Sequence, residues 1–216
     1  MGLALADNAY RMGADVTLVS TFKADKPYKN IVTETALEME KAVKENLSGQ
    51  DCVIMAAAVS DYRVENCAEN KIKKQGGVLE LKLVENPDIL KEISQLCSDN
   101  RSPCVEECAN KPVTGANEEH LEVQYKNGNT RLCSDNRSTY VVGFCAESEN
   151  LLENAKAKIQ KKGCDFLIAN DISRKDIGFN TDENEVYIID KSLNIKHIEK
   201  DTKENIARRI LEEIFE

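Results

Sequence analysis

The stretch TYVVGFCAESENLLENAKAKIQKKGCDFLIAND, residues 139–171, decides the fold of this chain. It opens with a short apolar run and closes with a second apolar strand, CDFLIAND. Between them, residues 149–163 have the spacing of an amphipathic helix that ends at Gly163. A strand, a helix and a strand in such close succession predict two parallel strands with the helix packed across them.

The same alternation of helix and strand recurs on both sides of this stretch. We predict helices at residues 3–14, 36–47, 86–96 and 202–215, strands at 15–20, 51–58 and 78–84, and a hairpin formed by residues 185–190 and 194–199. The second helix has a capping box, Thr35 with Glu38, and a stop at Gly49, and the third has Asn86 as cap with Pro87 in its first turn.

These elements predict an α/β fold. The expected architecture is a Rossmann-like parallel sheet with helices on both faces, a flap hairpin that begins near Lys71 and returns through residues 78–84, and a C-terminal β-hairpin and helix. The strictly alternating residues 78–84 are expected to be half-buried.

Length and composition limit the function classes. A chain of 216 residues with 41% hydrophobic content supports one core, so we expect one domain, residues 1–216. The net charge of −9 and pI near 5.0 disfavour nucleic acid and anionic membranes as partners. The absence of a signal-like start or an apolar run near 18 residues favours a cytoplasmic protein. The eight scattered cysteines favour reduced thiols over a disulfide framework.

Ligands of parallel α/β sheets bind beyond the carboxyl ends of the strands. At such an end the segment IMAAAVSDYR, residues 54–63, stops in three alanines and turns through polar residues. Small side chains there leave room for a ligand, and Asp61 would stand at the rim. Close packing of a helix against the alanines explains them equally well.

Seven segments, taken in order, resemble phosphopantothenoylcysteine synthetase, the second enzyme domain of the bifunctional coenzyme A protein of bacteria. They are residues 1–20, 35–43, 53–63, 71–74, 83–90, 141–171 and 178–190. The resemblance covers nearly the whole chain except residues 97–132. It implies a ligase that activates the carboxylate of 4′-phosphopantothenate with CTP to an acyl-cytidylate, from which the amine of L-cysteine then displaces CMP.

The resemblance also implies which residues form the site. Lys71 matches the catalytic flap lysine that closes over the reacting centre, Phe144 the aromatic ring against cytosine, and Lys158 with Lys162 the lysines that face the triphosphate. The full nucleotide-binding set is Ala56, Ala57, Ala58, Asp61, Lys71, Asn86, Pro87, Asp88, Ile89, Phe144, Lys158 and Lys162. Mg²⁺ is the implied cofactor with CTP as co-substrate, although no metal ligand is assigned. By pattern alone, a solvated surface is the more common explanation of these lysines.

Partners and alternatives follow in the same way. The resemblance implies a homodimer joined through the flap or adjoining strands, and a phosphopantothenoylcysteine decarboxylase domain on the N-terminal side. It does not separate CTP from ATP. The alternatives are a dinucleotide-dependent oxidoreductase, for which no G-x-G-x-x-G is present, and a non-catalytic remnant that only binds nucleotide or dimerises.

Two departures from the family pattern concern activity. The family has a first strand, a glycine-rich turn and an asparagine assigned to the acyl-nucleotide intermediate before the match to this chain's first helix, and only Met1 and Gly2 of that segment match here. We therefore expect unpaired edges at the strands 15–20 and 51–58, and low activity of this chain as given.

The second departure is an internal duplication, because LCSDNRS occurs at residues 96–102 and again at 132–138. Residues 97–132 are therefore expected to be an inserted, largely surface segment with a hairpin around LEVQYKNGNTRL, or a by-product of the duplication. Cys97, Cys104, Cys108 and His120 in this segment lack the paired C-x₂-C spacing of a zinc site, so zinc is disfavoured.

Overall fold

The computed structural model describes residues 1–68, 70–73, 76–99, 122–124, 130–132, 139–173 and 181–215. The strands are β1 (Thr17–Ser20), β2 (Lys29–Val32), β3 (Cys52–Met55), β4 (Tyr62–Val64), β5 (Leu83–Glu85), β6 (Glu122–Gln124), β7 (Thr130–Leu132), β8 (Tyr140–Glu147), β9 (Phe166–Asp171), β10 (Glu183–Asp190) and β11 (Ile195–Thr202). The helices are α1 (Gly2–Arg11), α2 (Ala36–Glu45), α3 (Ile89–Asp99), α4 (Leu151–Lys162) and α5 (Lys203–Phe215).

The main sheet has five strands in the order β11-β10-β9-β8-β3. β3 pairs with β8, and β8 with β9, in parallel, so the strand–helix–strand unit predicted from residues 139–171 is confirmed as β8–α4–β9. The C-terminal hairpin adds β10 antiparallel to β9, and β11 antiparallel to β10. The sheet is therefore mostly parallel, with an antiparallel edge.

Helices cover both faces of this sheet, as predicted. One core cluster joins α2, α3 and α4 to the sheet and includes Ile93, Ile159 and Leu167. The other joins α1 and α5 to the opposite face and includes Ile168 and Ile210. Leu167 and Ile168 are neighbours in β9 that point to opposite faces, because side chains alternate along a strand.

Several helix boundaries differ from the predictions, among them the end of α1, which lies at Arg11 and not at residue 14. The Thr35–Glu38 capping box opens α2 as predicted, but the helix ends at Glu45, with Asn46 as its cap, and does not extend to Gly49. α3 begins at Ile89, and its cap is Asp88: the Asp88 side chain accepts a hydrogen bond from the Lys91 N–H at 3.2 Å. The prediction of Asn86 as the cap was wrong because the Asn86 side chain is engaged elsewhere.

The first two strands lie apart from the main sheet. β1 and β2 pair with each other in parallel, and β2 was not predicted. In the described ranges no strand ladder joins β1 to β3, and β8 is the strand that pairs with β3. This arrangement agrees with the expected unpaired edges.

The flap is more exposed than predicted. β4 and β5 pair antiparallel over three residues each, so the hairpin starts at Tyr62 and not near Lys71, and the alternating residues 78–84 are mostly exposed. Val78 is 94% exposed, and Leu79, Leu81 and Leu83 are exposed as well. The alternation was misleading because, within the part of the chain described here, nothing covers its apolar face.

The predicted insertion starts inside a helix. α3 continues to Asp99, and Cys97 is buried in the core. β6 and β7 form an antiparallel hairpin, as predicted, while Cys104, Cys108 and His120 lie outside the described residues. Cys52, Cys67, Cys145 and Cys164 are free thiols. No helix in the described ranges is long and apolar enough to cross a membrane.

Candidate functional site

Two hydrogen bonds join Asn86, which lies three residues before α3, to the bend that follows β3. The Asn86 backbone N–H donates to the Asp61 carbonyl at 2.7 Å, and its side-chain amide donates to the Ser60 carbonyl at 2.8 Å. Arg63 then donates to the Asn86 side-chain oxygen at 3.2 Å. Asn86 therefore fixes the bend that carries Asp61, which explains why it does not cap the helix.

The Asp88 carboxylate at the start of α3 caps that helix and also pairs with a lysine of α4. Asp88 Oδ1 accepts from the Lys91 N–H, and Asp88 Oδ2 lies 2.5 Å from the Lys162 ammonium of α4. The N-terminal N–H groups of a helix and its dipole favour an anion, and here Asp88 provides one. Ile89 is 3% exposed and belongs to the core, so only its backbone is available to a ligand.

The two lysines of α4 point to the same side of the helix, as their spacing predicts. The Lys158 ammonium pairs with Glu147, the last residue of β8, and Lys162 pairs with Asp88. Lys156 is half-buried and makes no ion pair with a described residue. Two ammonium groups therefore lie between the carboxyl end of β8 and the start of α3.

Glu147 is the most enclosed charge in this group. Its side chain is 14% exposed, and its second carboxylate oxygen accepts a hydrogen bond from the Asn154 amide at 3.3 Å. Nearby, burial raises the pKa of the Cys145 thiol to about 11, while Lys158 acts to lower it and Glu147 to raise it. Cys145 is therefore a protonated thiol at neutral pH and not a nucleophile.

Gly143 allows α3 to lie close to β8 at this point. A Cβ placed on Gly143 would lie 2.5 Å from one methyl carbon of Leu90 and 3.0 Å from one of Leu167. A larger residue would therefore require the Leu90 and Leu167 side chains to move.

A second group of predicted residues lies on the other face of the sheet. Ala56 and Phe144 both pack, partly buried, against the cluster formed with α1 and α5. Met55 is the pairing partner of Gly143, so Ala56 and Phe144 follow on neighbouring strands. Ala57 and Ala58 are exposed beyond the end of β3. The predicted site thus wraps around the carboxyl ends of β3 and β8, with the lysines on one side and the aromatic ring on the other.

Lys71 stands apart from both groups. It is exposed in the flap, and in the part of the chain described here no hydrogen bond or ion pair joins it to another predicted site residue. Within the same ranges, no group of three or more His, Cys, Asp or Glu side chains is placed to hold a metal ion.

The sequence-based reasoning missed Glu147, Asn154 and Arg63 as parts of the site. Arg63 lies in residues 54–63, which the sequence predicts to follow the carboxyl end of a strand, and Glu147 is the last residue of β8. A charged residue at such an end is a signal that could have identified them.

Comparison with known proteins identifies the family. A model of the DNA/pantothenate metabolism flavoprotein C-terminal domain matches residues 1–127 and 130–216. The chain belongs to this family. The resemblance based on seven segments is thereby confirmed at the level of the family.

Relatives of this flavoprotein C-terminal domain family are similar over the whole chain. The coenzyme A biosynthesis bifunctional protein CoaBC of Escherichia coli (strain K12) is 34% identical over 99% of this chain, and that of Borreliella burgdorferi is 32% identical over 100%. The chain covers 45% of each, so it spans about half the length of these relatives.

Solved structures in the flavoprotein domain family share the fold. The C-terminal domain of a CoaBC superposes with a TM-score of 0.63 at 23% identity, covering 98% of this chain and 78% of that one. A DNA/pantothenate metabolism flavoprotein from Streptococcus pneumoniae gives 0.64 at 19% identity, covering 99% and 84%.

Proposed function

We propose that this chain is a ligase domain of coenzyme A biosynthesis that joins 4′-phosphopantothenate and L-cysteine through an acyl-cytidylate at the expense of CTP. Family membership and the CoaBC relatives support the pathway. The observation that carries the proposal is the placement of the Lys162 ammonium group beside the start of α3 and of the Lys158 ammonium group at the carboxyl end of β8.

Activation of a carboxylate with a nucleotide requires that the charge of the triphosphate be offset. Lys158 and Lys162 supply two positive charges, and the backbone N–H groups at the start of α3 supply hydrogen-bond donors. Cytosine would lie against Phe144, where Ala56, Ala57 and Ala58 leave space beside the sheet. The bend that Asn86 holds by hydrogen bonds would keep Asp61 at the rim of this space.

Mg²⁺ belongs to the proposal as the counter-ion of the nucleotide. It would supply charge neutralisation of the phosphates, and it is commonly held by substrate phosphates plus one or two carboxylates. Asp61 fits such a role, because it is exposed and its carboxylate makes no ion pair with a described residue.

Lys71 and the flap complete the proposal. A lysine that closes over the reacting centre would offset the negative charge that develops on the α-phosphate and would help to exclude water from the acyl-cytidylate. We further propose a homodimer that covers the flap, because Val78, Leu79 and Leu81 are exposed apolar residues next to one another.

Titration calorimetry of CTP with Mg²⁺ into the chain tests the phosphate site. Lys158→Ala and Lys162→Ala should each weaken binding by roughly 1 to 3 kcal/mol, because a charge-assisted contact to phosphate is lost. Lys156→Ala is the matched control on the same helix and should bind like the parent protein. Equal affinities for the three variants would overturn the assignment.

The reaction is tested with the same protein. Pyrophosphate release from CTP should require 4′-phosphopantothenate and should not require cysteine, because activation precedes the attack of the amine. Release that proceeds at the same rate without 4′-phosphopantothenate would contradict the proposed substrate.

A further inference from the structure

Both lysines of the proposed phosphate site already have a carboxylate partner. Lys158 pairs with Glu147, and Lys162 pairs with Asp88. The four formal charges cancel, so an arriving anion meets a pair of lysines whose positive charge is offset from within the protein. An anion therefore gains binding free energy from these lysines only if it competes with the two carboxylates for them.

The two members of the Lys158–Glu147 pair differ in burial. The Glu147 side chain is 14% exposed and that of Lys158 is 44% exposed. The Asn154 amide holds one carboxylate oxygen of Glu147, and in the described residues Lys158 is the cation that compensates the other. The carboxylate is thus the fixed member, and the lysine is the member that can move towards a ligand.

We propose that Glu147 determines which anions the site accepts, by acting as a built-in competitor for Lys158. The proposal rests on the proposed function in one respect, the placement of phosphates at Lys158. A monophosphate that reaches Lys158 alone must displace a fixed carboxylate and gains little. A polyphosphate also reaches Lys162 and the first turn of α3, so it binds in spite of the competition.

The test uses inorganic triphosphate and inorganic phosphate as probes, without metal, in calorimetric titrations of the whole chain. Glu147→Gln keeps the shape of the side chain and removes its charge. It should tighten triphosphate binding roughly 5- to 30-fold, because Lys158 is then free to form a charge-assisted contact with phosphate. This factor corresponds to one such contact, reduced by solvent screening. It should also make binding of inorganic phosphate measurable.

A matched ion pair at the other end of the sheet provides the control. Asp165 precedes β9 and pairs with Lys191 at 2.7 Å, with side chains 11% and 49% exposed. Asp165→Asn removes the same charge from a similar environment and should leave both affinities unchanged. An equal gain in Asp165→Asn would show that only the net charge matters and would overturn the proposal.

A double-mutant cycle ties the effect to Lys158. The gain from Glu147→Gln should vanish when Lys158 is already alanine, and a gain that persists there would refute the proposed competition. Glu147→Asp keeps the charge and withdraws it by one methylene, so it should give a smaller gain, and it serves as the second variant if Glu147→Gln does not fold. No gain in either variant overturns the proposal.

Titration of CTP separates this inference from the proposed function. If triphosphate binding responds to Glu147 as expected but CTP binds no better than triphosphate, then the nucleotide assignment fails while the role of Glu147 stands. If CTP binding depends on Lys158 but not on Glu147, then the role of Glu147 fails while the nucleotide assignment stands.

Discussion

Excision of residues 97–132 is expected to leave the fold intact. Because LCSDNRS occurs at 96–102 and again at 132–138, this excision joins Leu96 to Cys133 and restores one uninterrupted copy before Tyr140. Removal of any 36-residue window that begins between 96 and 103 yields the same sequence. The product therefore does not depend on where the boundary of the insertion is drawn.

The structure indicates how large the effect should be. Cys97 is 4% exposed in the last turn of α3, and Cys133 would take its place in an identical local sequence, so no core contact is lost. The excised hairpin β6–β7 forms a sheet of its own, without a ladder to the main sheet in the described residues. The connection from α3 to β8 would shrink to four residues, a common length for an αβ loop.

Shortening this connection lowers the entropy cost of closing it. For a flexible loop the gain is about 2 kcal/mol, and the local structure of the hairpin reduces it, so we expect a gain of about 0 to 2 kcal/mol in the free energy of unfolding. At this chain length each kcal/mol moves the melting temperature by roughly 2 to 4 °C.

Thermal unfolding followed by circular dichroism measures the difference. The control is excision of residues 100–138, which joins Asp99 directly to Thr139 and leaves Thr139 as the only residue between α3 and β8. That variant should melt at least several degrees lower than the first. A fall of more than about 4 °C after excision of residues 97–132 would show that the segment packs on the domain and would refute this reasoning.

Two further predictions concern stability and assembly. The hydrogen bond from Lys44 holds the pKa of Glu40 below its usual value, so Lys44→Met should cost about 0.5 to 1 kcal/mol at pH 7. The loss should shrink as the pH falls below the ordinary glutamate pKa of about 4.3 and Glu40 takes up a proton, and a loss that is constant between pH 3 and pH 7 in urea titrations would refute this. If the flap joins two copies, then Leu79→Ser and Leu81→Ser should each shift the chain from dimer to monomer in sedimentation velocity runs, and a monomeric parent protein would contradict the proposed dimer.

Local sequence signals predicted most of the fold. The capping box at Thr35, the stop at Gly163 and the helical spacing of residues 149–163 each depend on neighbouring residues of one helix. They could therefore be interpreted without a structure. The signals that failed depend on distant partners. Asn86 has the chemistry of a cap, but it bonds to Ser60 across 26 positions, and no local pattern contains that contact.

The candidate site was predictable to a lesser degree for the same reason. Helical spacing placed Lys158 and Lys162 on one face of α4, but their carboxylate partners come from β8 and from the start of α3. The distance in sequence between Lys162 and Asp88 is 74 positions. Burial, which distinguishes Glu147 from a solvated glutamate, is likewise a property of the packed domain.

The three alanines after β3 can now be divided between the two explanations for them. A Cβ placed on Gly2 would lie 3.6 Å from the Ala56 Cβ, so a larger residue at position 56 would press on the first turn of α1. Helix packing therefore explains Ala56. Ala57 and Ala58 are exposed and belong to neither core cluster, so packing gives no reason for their small size. The proposed ligand space beside Phe144 would account for both of them.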